Sequence, residues 1–500
     1  MDLNMELVTS CFKMGGGTAD ASGTGEKRTV INTTTPAVND QWSITIVDGV
    51  TEEALLIGAG NMTGVTPTAC YTYGNKVYVL AGNSVYFSAV GAPTVFNSPQ
   101  GVGNGFVSMA NQTQTSENLA AMAPFQGRLA FLSRQTTQIW AVDADPDNWS
   151  LQQVLQNVGT IAKASVQPKG DLDVLFLADT GIRSLRAREA TLNAFVDDLG
   201  SPIDSLVRGV IEANAILPGT PAGTPSASGG ALATGTYYYT VSAVVGGVET
   251  GGVESAAIDV TGPSGRVTLS WTAVSGATGY KVYRTTTKGN YYDALISSPS
   301  TNSLIDGGLP AAAGAPRTKI EDACSVIEPT SGRYLLYLSG TIYVLSYFPS
   351  AKTVAWSIYE PLDSTGKVFA PTKFVIYKGQ VYARAGNRLF RYGGASGVVY
   401  DSTVATVETP WLDLKSPGKM KSAKSINAAY SGSWAISIGM DPVSGILESD
   451  VWSGADYTFD KGVVPVAGRG SHFRAKMVSS GSTAAVFSAL AFHYQEEEET

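Results

Sequence analysis

Residues 143–148 read DADPDN, placing Asp143, Asp145 and Asp147 at alternate positions, as a calcium loop places its carboxylates. That loop needs a glycine at its sixth position and a glutamate at its twelfth, and here those places hold Asn148 and Val154. A corner that closes a strand pair uses Asp, Pro and Asn for the same local geometry, so a turn is the expectation. The chain has two histidines, His472 and His493, too far apart for a zinc pair and without a neighbouring cysteine. The alternating context "AFHYQ" makes His493 an edge or packing residue. "SGTGEK" (22–27) approaches a phosphate loop, but Glu26 stands between Gly25 and Lys27 and no Ser or Thr follows the lysine. "GAGNMTGV" (58–65) has its glycines at the wrong interval for a dinucleotide turn, and no G-x-S-x-G elbow occurs. Carboxylates of a glycosidase can come from distant strands, so spacing leaves that chemistry open. No catalytic, cofactor-binding or metal residue is assigned, no cofactor is expected, and the chain is read as a non-enzyme.

The bulk composition agrees. Charged residues make up 15% of 500, the formal charge is −8, and Gly numbers 55. Such a chain suits short strands and tight turns better than long solvated helices. A nucleic-acid clamp needs clustered Lys and Arg to displace counterions. The densest basic run, "KSPGKMKSAK" (415–424), reads as a solvated loop. Cys11, Cys70 and Cys324 form no C-x-x-C, which fits folding in a reducing compartment. The acidic N-terminus lacks the apolar core of a signal peptide, and no run is long enough to span a bilayer.

What positions these residues is a repeated hairpin. "NKVYVLAGNSVYFSAVGAPTVF" (75–96), "RLAFLSRQTTQIWAV" (128–142), "GDLDVLFLADTGIRSLR" (170–186), "GRYLLYLSGTIYVLSY" (332–347) and "GQVYARAGNRLFRYGG" (379–394) share one plan. A short apolar arm meets a turn, most often one with Gly or Asn for positive φ, and a second aromatic or β-branched arm follows. A recurrence of about 45–50 residues matches propeller blades, whose sheets bury their faces only by stacking on neighbours.

A helix is expected in "SPIDSLVRGVIEANA" (201–215), with Ser201 as N-cap and Ile203, Leu206, Val207, Val210 and Ile211 on one stripe. The blade series is interrupted between "LPGTPAGTPSASGGA" (217–231) and "GGLPAAAGAPRT" (307–318), which read as flexible linkers. Between them "LSWTAVSGATGYKVYR" resembles the Trp-bearing and Tyr-x-Val-Tyr-Arg strands of a fibronectin type III module. "TYYYTVSAV", similar to a late strand of that module, comes before them, so the strand order is permuted. From "TPWLDL" onward the alternation suits a second sandwich, closed by "EEEET" as a solvated end. The expected class is all-β, a β-propeller whose chain is split by an insert. An N-terminal segment (1–60) leads into the first β-propeller segment (61–216) and the inserted fibronectin III-like domain (217–318). The second β-propeller segment (319–408) and a C-terminal β-sandwich (409–500) follow.

Together these domains resemble the tail nozzle or tail hub proteins of short-tailed bacteriophages, including packaged-DNA stabilisation and tail tubular proteins. "GNSVYFSAVGAPTVFNS", with its Pro-x-x-Phe corner, "FQGRLAFLSRQTTQIWAVDADPDNW" and "VQPKGDLDVLFLADTGIRSLRA" are similar to successive blades, and "TPWLDLKSPGKMKSAKSI" to the terminal sandwich. The resemblance implies a virion protein assembled in the host cytoplasm as a homo-oligomer, a hexameric ring below the portal. Its partners would be the head-to-tail adaptor and tail fibres, tailspikes or the tail tip. Phage DNA would be retained and then pass through the lumen without sequence-specific binding, and no membrane insertion is implied. The inserted module would project outward. The alternative is a carbohydrate-binding propeller adhesin or a propeller glycosidase.

Overall fold

A computed structural model describes residues 3–7, 42–47, 52–57, 65–96, 103–110, 117–171, 173–187, 194–348, 353–363, 365–393, 404–441, 447–479 and 485–497. "SGTGEK", Cys11, residues 58–64 and the last three residues lie outside them.

Each recurrent hairpin grows into an antiparallel meander. Blade one is Ala69–Tyr73, Lys76–Ala81, Ser84–Phe87 and Gly105–Ser108. Blade two is Ala121–Phe125, Arg128–Leu132, Thr136–Ala141 and Ser150–Gln156. Blade three is Gln167–Lys169, Asp173–Ala178, Gly181–Ala187 and Ala194–Asp197. Blade four is Cys324–Ile327, Tyr334–Leu338, Thr341–Phe348 and Thr353–Tyr359. Blade five contributes Lys373–Tyr377, Gln380–Ala385 and Arg388–Tyr392.

Side-chain alternation on these strands proves the stacking. Leu129 and Phe131 face blade one's Tyr78, Leu80 and Phe87, while Ala130 and Leu132 on the same strand face blade three's Val174 and Phe176. Blade three's other face, Leu175 and Leu177, packs on Tyr334, Leu336 and Leu338 of blade four. A strand apolar on both faces is what a sheet sandwiched between two others requires. The first strands of blades one to five touch in series, which makes them the axial strands. The chain is therefore a β-propeller, carrying a fibronectin III-like β-sandwich as an insert and a C-terminal β-sandwich.

The blades meet across the insert by polar contacts as well. Gln167 donates to the Ser325 carbonyl (3.0 Å), Tyr334 to Ser165 (2.8 Å) and Trp356 to Leu199 (2.8 Å). The helix begins at Asp204 and runs to Ala213. Ser201 opens a 3-10 turn instead of capping it, because Pro202 and Ile203 tighten the entry. Ile203 and Val207 are buried between blades three and four, and Leu206 faces solvent.

In the insert, Ala222–Ser226, Arg266–Ser270 and Ser303–Asp306 form one sheet, and Gly235–Val245 pairs with Ala277–Thr285 and Leu295–Ser297 in the other. The Tyr-rich strand lies beside the Tyr-Lys-Val-Tyr-Arg strand (Thr240↔Tyr283, Ser242↔Lys281). Trp271 meets Tyr280 edge-on at 5.3 Å in the shared core. The first flank is not all linker, since Ala222–Ser226 supplies an edge strand whose backbone pairing its small polar residues concealed.

The chain divides into two compact units, one of residues 6–357 and 365–391, the other of residues 1–5, 358–364 and 392–500. In the second, Leu3–Met5 lies parallel to Pro361–Asp363. Its sandwich is built on one twenty-residue strand, Lys421–Met440. The first half of that strand pairs with Val464–Gly470 and Val486–Glu496, the second half with Leu447–Tyr457 and Phe473–Ser479. The register breaks between Tyr430 and Ser433, where Gly432 takes φ +75, so the two halves bend over one core.

Candidate functional site

The aspartate corner is a capped turn. Asp143 Oδ1 accepts from the Asp145 amide (2.9 Å) and Asp145 Oδ1 from the Asp147 amide (3.1 Å). Those bonds spend the carboxylates locally, and the Asp145 amide holds the Asp143 carboxyl below its ordinary range. The carbonyls beside it are filled by a cation from the chain itself. Lys76, 2% exposed, donates to Gly103 (2.5 Å) and Ala144 (2.6 Å) and lies 5.0 Å from the Phe87 ring centre. Burial lowers its ammonium pKa, while Asp143 and Asp145 oppose that shift. Gly103 is pressed so close to Ala144 that a Cβ there would sit 2.2 Å from its carbonyl oxygen.

The basic run is split: residues 415–420 form a largely exposed turn, as expected of a solvated loop, whereas Lys421 opens a strand and turns inward. Lys421 is fully buried and donates to the carbonyls of Ser416 (2.7 Å), Lys419 (2.9 Å) and Ser471 (3.0 Å). An ammonium gathering three carbonyls closes the loop around itself. His472 lies 2.9 Å from the Ser471 hydroxyl, and His493 is exposed on Val486–Glu496 opposite Ser425. These residues are not brought together, and among the described residues no cluster of metal-ligating side chains occurs. A cleft of about 170 Å³ between blades two and three holds the Arg134–Asp179 pair (3.0 Å).

The more extensive polar construction clamps the insert to the propeller. Glu249 accepts from Ser242 (2.6 Å), Tyr283 (2.7 Å) and Lys281 (2.6 Å), and Arg317 approaches it at 3.8 Å. The Arg317 guanidinium lies over Gly340 in the blade-four turn, where an added Cβ would fall 1.4 Å from Nη1. Asn214, at the end of the helix, accepts from the Gly251 amide (2.5 Å). On the other side Arg388 of blade five stacks 3.9 Å from the Tyr292 ring centre, Tyr292 meets Phe390, and Lys367 pairs with Asp293. Gly386 leaves the space that Asn290 takes. The flanks therefore do not act as free tethers. Composition showed neither lysine cage nor this clamp, because each joins residues far apart in sequence through groups that also read as ordinary surface polarity.

No protein-family model matches the sequence, and no curated protein matches it. Solved structures with similarity include a protein from Lactobacillus plantarum, at 13% identity over 68% of this chain and 82% of that one, TM-score 0.27. The WD40 domain of Neurospora crassa Pan2 is similar at 8% identity over 70% and 82%, TM-score 0.26. BamB from Moraxella catarrhalis is similar at 10% identity over 64% and 79%, TM-score 0.22. With scores this low the propeller assignment stands on the blade stacking itself.

Proposed function

We propose that this chain is a structural subunit of the tail nozzle or hub of a short-tailed phage, forming a ring that retains packaged DNA and conducts it during ejection. The observation that supports this reading is the two-sided clamp of the insert. A module held at Glu249–Arg317–Gly340 and again at Tyr292–Arg388 transmits force between blades without hinging. Dry blade interfaces supply the same stiffness. A formal charge of −8 gives a polyanion little to grip, so DNA slides instead of binding. Ring subunits join head to tail through two different faces, which a chain of several domains can supply.

Native mass measurement and negative-stain imaging, alone and with the head-to-tail adaptor, test the reading. The expected result is a ring of about six copies. A chain that stays monomeric at high concentration with adaptor present, and binds polysaccharide, belongs to the adhesin class instead.

A further inference from the structure

Blade five is the basic part of an acidic chain. Residues 364–400 carry Lys367, Lys373, Lys378, Arg384, Arg388 and Arg391 and no Asp or Glu. A formal charge of −8 less these six positive charges leaves −14 on the rest. Lys367 and Arg388 are spent inside the clamp, on Asp293 and on the Tyr292 ring. Three of the others lie on the opposite side of the sheet. Lys373 stands opposite Arg384 and Val375 opposite Tyr382, which in turn stands opposite Arg391, so these five residues share one face. The reverse face, with Phe374, Val381, Ala383 and Phe390, is buried. Lys378 sits at the hairpin turn, 5.4 Å from the ring centre of Tyr377, which is 59% exposed and lies 6.5 Å from Tyr382. Lys373, Lys378 and Arg384 are exposed, and among the described residues no carboxylate pairs with them.

We infer that this cationic face docks on the aspartate corner of a second copy of the chain. The inference rests on the ring reading and names the two surfaces through which its copies join. Asp143, Asp145 and Asp147 are exposed at the third connection of blade two. Asp171, also exposed, accepts from the amide of Gly127 in the first connection of that blade (2.8 Å). In an antiparallel meander the first and third connections lie at one end, so the four carboxylates gather there. Amide bonds hold three of them in place, and among the described residues none of the four forms an ion pair. One chain thus carries an unpaired basic face and an unpaired acidic corner on different blades. A head-to-tail contact needs two such unlike, complementary surfaces, and charges placed across it fix its register. Tyr and Arg are the residues that protein interfaces concentrate, and Val375, 51% exposed, adds apolar contact that a phosphate does not use. A nucleic-acid strand fits less well, because it runs beyond four cations onto an acidic surface. A corner of four carboxylates matches the patch in charge.

Carbodiimide cross-linking of the full chain, mixed from unlabelled and heavy-nitrogen-labelled protein, tests this alone and with the head-to-tail adaptor. Links from Lys373 or Lys378 to a carboxylate of 143–147 or to Asp171 should join labelled to unlabelled copies. The pair Lys373→Glu and Arg384→Glu should weaken self-association at low salt about tenfold or more, read by sedimentation. Asp147→Lys should weaken it in the same direction, and adding it to the pair should restore most of the loss. All three sites are exposed, so the urea midpoint of each variant should stay at the parent value. Copies that associate but link elsewhere, or whose association ignores the reversals, overturn the inference and leave the ring reading standing. A chain that is monomeric at high concentration, with and without adaptor, overturns both. Binding of a single strand of about 16 nucleotides that the pair abolishes, with self-association unchanged, assigns the face to nucleic acid and overturns the inference as well.

Discussion

Lys76 and Lys421 each put an ammonium where a bound cation could otherwise sit among backbone carbonyls. Removing the charge leaves those oxygens buried and unpaired, which is costlier than the net worth of the bonds. Lys76→Met should therefore lower stability by about 2–4 kcal/mol, read as a shifted urea midpoint with unchanged slope. A midpoint within error of the parent would show that water replaces the ammonium. The sequence made the aspartates of 143–148 conspicuous, but the residue that organises them was hidden. Lys76 opens a strand in "NKVYV", where a lysine ordinarily points to solvent, and only the corner sixty-eight positions away reveals its role. His493 was easier to read, because the alternating run around it placed it on a strand, Val486–Glu496.

Among elements, the hairpins were legible because their turns demand particular residues. Ser339 and Gly340 both take positive φ, at +45 and +99, and the apolar arms around them announce the blade. Strands whose pairing depends on backbone alone were not legible. Ala222–Ser226 reads as linker because Gly, Thr, Pro and Ser say nothing of a neighbouring strand. Gly340→Ala should cost about 1–3 kcal/mol from its left-handed backbone and displace Arg317. The loss should be largest in exchange protection across 249–252, and a change confined to blade four would refute the clamp. Asp306, with no exposure, accepts from Tyr239 (2.8 Å), Arg284 (2.7 Å) and the amides of Gly308 and Leu309 (both 2.9 Å). Asp306→Ala strands a mostly buried guanidinium and should cost about 3–5 kcal/mol, with the insert melting before the blades in calorimetry. Unaltered melting would mean that Arg284 finds another partner.

At the scale of the molecule, buried phenols tie the insert and the blades to one alkaline limit. Burial pushes Tyr78 in blade one up to about 12, and raises Tyr239, Tyr283 and Tyr291 in the insert and Tyr334 and Tyr337 in blade four. Nearby Glu249 adds to the shift at Tyr283, and Asp306 at Tyr239. A raised folded value means that the neutral phenol is preferred in the native state. Its contribution is complete below the unfolded value near 10 and is lost as pH climbs through the folded one, so for Tyr78 the window is pH 10 to 12. Absorbance at 295 nm should therefore show exposed tyrosines ionising near pH 10, followed by a steep cooperative step coincident with loss of circular dichroism. Because Tyr283 shares Glu249 with the clamp, the insert and blade four should cross together, and Gly340→Ala should separate them into two steps. Smooth titration of all 23 tyrosines near pH 10 would contradict the burial on which the stacked blades depend.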